Sequence, residues 1–353
     1  MKPKERFINA CLNKEVDRPP VWMMRQAGRY LPEYRKIKEQ HATKKMMQTP
    51  ELASEITLQP VSILGVDAAI LYSDILMVAD AMGMGLDFAV GEGPVFDFYI
   101  KDAAALDRLN TQHVTSRLSY VFKAISLCAQ RLPQDYPLLG FAGAPFTVAC
   151  YMISANSRAN FSDVKTLAWT KPRVFHGLMD LLTGVTIDYL VSQADAGVAA
   201  VQLFDTWAGL LSPRDYQELA KPYSKKIFDA LRSSGIPSIH FIRGGQALMS
   251  DMTTLASDVI AVDWRVDLKT IYQFTKGAYA VQGNLDPDIL LTTPTLIQQR
   301  VTEMIASVPN PKKGYIVNLG HGVGQNTPVE NVRCFVDAAK NPQPNRKCGF
   351  ISI

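Results

Sequence analysis

"SPRDYQELAKPYSKKIFDALRSSGIPSIHFIR", residues 212–243, holds one full unit of the architecture of this 353-residue chain. Its first part returns an apolar residue every three or four positions, the period of a helix with one buried face. Ser212 stands where a helix N-cap belongs, and Pro213 fits a first turn, whose N–H groups have no helical partner. The pattern then changes. "PSIHFIR" (237–243) is a short, nearly continuous apolar run that ends on an arginine, and such a run bounded by turn formers reads as a buried strand.

Seven more runs of this kind lie along the chain: "PPVWMM" (19–24), "DAAILYS" (67–73), "YPLLGFAG" (136–143), "AAVQLFD" (199–205), "VIAVDW" (259–264), "AYAVQGN" (278–284) and "GYIVNLG" (314–320). Amphipathic stretches such as "TSRLSYVFKAISLCAQRL" (115–132) separate them. Strands that stay apolar instead of alternating, with helices between, belong to a parallel sheet covered on both faces. Eight such units predict one distorted (β/α)8 barrel over residues 1–353, with its cleft at the C-terminal ends of the strands. Residues 75–110, with "GMGLDF" and "GEGPVFDF", are too long for a simple βα loop and predict an excursion at one rim. A doubly wound open sheet is the competing fold, but no strand here runs into G-x-G-x-x-G.

The bulk numbers set the class. With 47% apolar and 20% charged residues the chain reads as soluble and globular. A formal charge of +4 and no basic run longer than "KK" give no nucleic-acid footprint, so a basic site must be local. Cys11, Cys128, Cys150, Cys334 and Cys348 are scattered without C-x-x-C spacing. An odd count with no secretory leader argues against a disulfide framework and for the cytoplasm. "MKPKERFINACLNKEVDR" lacks an apolar leader core, and no stretch of about 18 uncharged apolar residues occurs, so neither export nor a membrane is expected.

In a barrel the chemistry sits on the loops that follow the strands. The runs above end in Arg25, in Ser73 and Asp74, in Asp205 and Thr206, in Arg243, in Arg265, in Asn284 and Asp286, and in His321; the third ends in "GAPFT", followed by Tyr151. Three arginines, several carboxylates, a tyrosine and a glycine-flanked histidine around one mouth suit a polar, anionic ligand. Arg25 and Arg29 are four apart, so on a helical turn they would share a face, and an arginine fork matches carboxylate oxygens bidentately. Asp74 sits among large apolar neighbours, where a carboxylate must accept hydrogen bonds or be paired. It either caps a backbone turn or receives N–H donors from a ligand. His321 in "GHGVG" and Arg243 in "FIRGGQ" either approach an anion or simply turn the chain.

"RPPVWMMRQAGRYLPEYR" (18–35) and "GFAGAPFTVACYM" (140–152), with "ILYSDIL", "QLFDTWAG" and "VNLGHGV" in the same order, resemble the signature blocks of the uroporphyrinogen decarboxylase family over nearly the whole chain. The resemblance implies a homodimeric barrel that needs no cofactor or metal and removes carbon dioxide from the four acetate arms of uroporphyrinogen III. Carried over by position, Asp74, Arg25, Tyr151 and His321 are the expected catalytic residues. Arg25, Gln26, Ala27, Gly28, Arg29, Asp74, Tyr151, Thr206 and His321 are the expected substrate contacts. Lys38 stands where several relatives carry arginine, and Thr206 where some carry serine. Two rivals remain: a zinc-dependent methyltransferase on the same barrel, against which Ile242 speaks because it cannot ligate, and a non-catalytic anion-binding module.

Overall fold

A computed structural model describes residues 1–89, 93–155 and 160–342. Nine strands occur among them: β1 (Ala69–Ile70), β2 (Asp87–Ala89), β3 (Gly93–Val95), β4 (Leu138–Gly143), β5 (Ala200–Phe204), β6 (Ser238–Ile242), β7 (Val259–Val262), β8 (Ala280–Leu285) and β9 (Tyr315–Leu319). Seven pair in the order β1-β4-β5-β6-β7-β8-β9, every neighbour parallel. Six of the apolar runs thus become strands within two residues of the expected bounds, because each is buried on both faces, while the run at 67–73 pairs only through Ala69 and Ile70.

The run at 19–24 differs. It forms no ladder strand; Val21 makes only an isolated parallel bridge to Val317. Pro19 and Pro20 have no N–H to give a ladder, and the Val21 N–H goes to the Asp67 carboxylate at 2.9 Å. The segment still fills the eighth position. Val317 N–H donates to the Pro20 carbonyl at 2.9 Å and Trp22 N–H to Val317 at 3.2 Å on one side, while Asp67 N–H donates to Val21 at 2.7 Å on the other. It therefore closes the curled sheet between β9 and β1 into a distorted (β/α)8 barrel. Inside, the Trp22 indole donates to Gln282 on β8 and Gln282 to Gln202 on β5, both at 3.0 Å, so these buried polar groups satisfy one another.

The stretch 212–234 is two helices, Pro213–Leu219 and Lys221–Ser234. The expected cap holds, with Ser212 Oγ accepting the Asp215 N–H. Pro222, which cannot donate an N–H, resets the helix, and Ala220 between the two has non-helical angles. The excursion at 75–110 contains a π-helical turn, Asp80–Met84, and the antiparallel hairpin β2–β3. Helix Pro172–Asp195 is long and apolar enough to cross a membrane by composition. It packs instead on the sheet, with Phe175, Leu178, Met179, Leu182 and Leu190 buried. Cys11, Cys128 and Cys150 are free and buried. Cys334 is disulfide-bonded, so it departs from the reading of unpaired thiols; Cys348 lies outside the described residues.

Candidate active site

The loop after the 19–24 segment is fixed from below by Gln26. Its carboxamide is fully buried, accepting the Met23 N–H at 3.1 Å and donating to the Ala68 carbonyl at 3.0 Å, while Tyr30 donates to its backbone oxygen. With Gln26 spent on the backbone, residues 25–29 form no helical turn; the helix starts only at Pro32. The shared helical face expected for Arg25 and Arg29 is thus corrected. Gln26, expected as a substrate contact, points its side chain into the protein and stakes the loop. Arg25 takes the left-handed conformation (φ 59°), which presents its exposed side chain across Gly322. Ala27 is half-buried, and Gly28 lies so close to the Arg25 carbonyl that an added Cβ would sit 3.3 Å from it. Arg29 is exposed and donates to Gln325 at 3.2 Å. Arg35 braces the turn by donating to the carbonyls of Arg29 and Tyr30, both at 3.0 Å. Lys38 donates to Thr43 Oγ1 at 2.6 Å.

Asp74 follows β1 and is half-buried. One carboxylate oxygen accepts the Leu76 N–H at 2.8 Å, and neither takes part in an ion pair among the described residues. Burial raises its pKa, against the opposing pull of the Leu76 N–H and the nearby Arg25 cation. The turn-capping reading of this residue therefore holds for one oxygen, and the other oxygen makes no hydrogen bond among the described residues. Tyr72, two residues earlier, lies close enough to feel both Asp74 and Arg29, and its hydroxyl is 3.0 Å from that of Tyr34.

The opposite flank of Asp74 is aromatic. Tyr151 sits on helix Pro145–Ile153, one turn after Thr147, with its ring centroid 5.6 Å from Phe161 and 6.3 Å from Trp207. Burial raises its phenol pKa and keeps it neutral. Thr206 is half-buried between Asp205 and Trp207, both anchored through Thr147, whose hydroxyl donates to Asp205 at 3.0 Å and accepts the Trp207 N–H at 3.1 Å.

His321, after β9, closes the ring. Burial and then the cations of Arg25, Arg243 and Arg265 push its pKa down to about 4, so the imidazole is neutral near pH 7 and offers one N–H. Of the other strand-end residues, Asp205 is fully buried, Asn284 donates to the backbone of Asp263 and Val266, and Asp286 caps a short helical turn. These are scaffold. Asp263 was not singled out from sequence. It is fully buried, accepts the Gly244 N–H at 2.7 Å and pairs with Arg265 at 2.6 Å. An acid ending the apolar run "VIAV" was its signal. Tyr72 and Trp207 were also missed, because aromatics in apolar runs look like core.

No group of three or more His, Cys, Asp or Glu among the described residues is placed to hold a metal ion, and Ile242, which cannot ligate, is buried in β6. The donor set therefore does not fit zinc. Among solved structures, a methyltransferase from Methanosarcina mazei shares the fold, with a TM-score of 0.82 over 96% of this chain and 98% of its own at 19% identity. Sequence similarity is much higher elsewhere. A uroporphyrinogen decarboxylase from Pelobacter propionicus is 42% identical over 335 residues, 95% of this chain and 98% of its own. One from Syntrophotalea carbinolica is 43% identical over 331 residues, 94% and 96% of the two chains. The family model described as uroporphyrinogen decarboxylase matches residues 2–342. With a match of that extent over a barrel whose mouth gathers Arg25, Asp74, Tyr151 and His321, the chain belongs to the uroporphyrinogen decarboxylase family.

Proposed function

We propose that this protein is a carboxy-lyase that converts the four acetate arms of uroporphyrinogen III to methyl groups, giving coproporphyrinogen III and four molecules of carbon dioxide in haem biosynthesis. The observation that carries this reading is Asp74: a half-buried carboxyl with one oxygen held by a backbone N–H, the other free, and Arg25 beside it. The substrate is a flexible macrocycle with eight rim carboxylates and four pyrrole N–H groups that can turn inward. A central acceptor in a cationic bowl is its complement.

Protonation of a pyrrole ring carbon makes that ring the electron sink. The bond from the acetate methylene to its carboxylate then breaks, carbon dioxide leaves, and the electron pair forms an exocyclic double bond to the ring. A second proton converts that methylene to methyl, and the ring carbon returns the first. Each round consumes one proton net and calls for no cofactor. Asp74 stabilises the positive charge that develops on the pyrrole, an electrostatic role fixed before reaction. Water held at Arg25 supplies protons, since the guanidinium itself is too weak an acid. Tyr151 and the neutral His321 orient carboxylates, Thr206 and the backbone of Ala27 and Gly28 line the mouth, and Arg29 draws in a rim carboxylate.

We take the chain to act as one barrel domain over residues 1–353, as a homodimer in the cytoplasm, on the strength of its family membership. Anaerobic incubation with uroporphyrinogen, followed by oxidation and chromatography, should give hepta- to tetracarboxylate porphyrins in succession. Unchanged octacarboxylate would overturn the reading. Light scattering during gel filtration should give twice the chain mass of 39.1 kDa.

A further inference from the structure

Two arginines have no part in the reaction proposed above. Arg243 leaves the C-terminal end of β6 and Arg265 that of β7. In the closed ring that runs from the 19–24 segment through β1 and β4 to β9, β7 lies directly opposite β1, and β6 is its neighbour on the far wall. Asp74 follows β1. The two arginines and Asp74 therefore face each other across the bowl.

Both guanidinium groups lie against the indole of Trp264, with centroid distances of 5.9 Å for Arg243 and 5.0 Å for Arg265. Asp263 is spent on Arg265 and the Gly244 N–H. Arg243 has no carboxylate partner among the described residues. It is half-buried on a turn that packs tightly, because a Cβ on Gly209 would lie 1.9 Å from its carbonyl. The backbone that carries it is fixed, and its guanidinium, over the Trp264 ring, has no compensating carboxylate among the described residues. Its side of the bowl includes His321, which feels Arg25, Arg243 and Arg265, whereas among these cations Asp74 feels only Arg25.

We infer that Arg243, steadied by Trp264 and flanked by Arg265, is a second carboxylate subsite, and that it holds a propionate arm of the macrocycle, not an acetate. The inference rests on the proposed function and adds which arm is gripped. In the last of four rounds only one acetate is left, and it must be at Asp74 to react. A subsite across the bowl that is filled in every round can then take only a propionate. Such a grip turns the same ring system through four successive reactions and also holds the product.

The test compares wild type, R243M and R243K under anaerobic conditions. It measures KM and kcat for uroporphyrinogen, Kd for coproporphyrinogen III by calorimetry, and melting temperature. R243M should raise both KM and the product Kd by about ten- to a hundredfold, as expected for losing a charge-assisted hydrogen bond. Its kcat should stay within about twofold of wild type. R243K should keep most of the affinity, and both variants should melt with wild type. A raised KM with unchanged product Kd would assign the arm to an acetate and overturn the inference. Wild-type affinity of R243M for both ligands would remove Arg243 from the site. Wild-type protein that binds coproporphyrinogen but leaves uroporphyrinogen unchanged would instead defeat the proposed function.

Discussion

Gly322→Ala tests whether the placement of Arg25 matters, without touching Arg25 itself. A Cβ at Gly322 would lie 2.4 Å from Arg25 Cδ, 2.7 Å from its Cγ and 3.1 Å from its Cβ. Carbon atoms in contact sit about 3.5–4.0 Å apart, so the Arg25 stem must retreat by about 1 Å or more. The side chain is exposed and flexible enough to do so, and Gly322 does not have a positive φ, so stability should change by less than about 1 kcal/mol. The guanidinium, however, leaves its place beside Asp74. A displacement of about 1 Å near reacting groups lowers a rate by about a hundredfold, some 2.7 kcal/mol of transition-state stabilisation. Gly320→Ala is the contrast: its Cβ would meet the Trp264 backbone nitrogen at 2.4 Å, which cannot retreat, so that variant should lose stability first. The assay is anaerobic turnover alongside thermal melting. Gly322→Ala protein with wild-type kcat/KM would refute the reasoning, and so would a large fall in its melting temperature.

Three further outcomes are expected. Asp67, at the N-terminal rim, accepts two bonds from Arg18 at 2.6 and 2.7 Å and the Val21 N–H; Asp67→Ala should cost about 3–5 kcal/mol in denaturant unfolding, because it strands a part-buried cation and frees the closing segment. Gln26→Leu should cost about 2–4 kcal/mol and raise KM, since the Met23 N–H and Ala68 carbonyl lose their partners and the arginine loop loosens. His321 has a folded pKa of about 4, below its ordinary 6.5, so its neutral form contributes stability that is full above about pH 6.5 and is lost as pH falls towards 4. The wild type should lose stability more steeply than His321→Asn over that window, as followed by urea unfolding at each pH.

Most of the barrel was legible because its strands are buried on both faces, so apolar runs such as Val259–Val262 mark them regardless of what surrounds them. The closing segment was misread as a strand for a reason that is not local: the Val21 N–H is taken by Asp67, 46 residues away. The turn at Arg25 was misread likewise. Spacing of four suggests a helix, but the buried carboxamide of Gln26 bonds Ala68, and no periodicity reports that. Strand ends offered Asp74, Arg243 and His321, which the fold leaves half-buried, and by the same rule Asp205 and Asn284, which it turns inward. Position after a strand finds the mouth; only tertiary packing decides which side chains open into it.

The central claim is that the free oxygen of Asp74 meets the inward-turned pyrroles. Asp74→Asn keeps the shape and the Leu76 bond but removes the charge. In the anaerobic decarboxylation assay, kcat should fall by about 10²- to 10³-fold with an unchanged melting temperature. A folded Asp74→Asn protein that decarboxylates uroporphyrinogen at the wild-type rate would contradict the account.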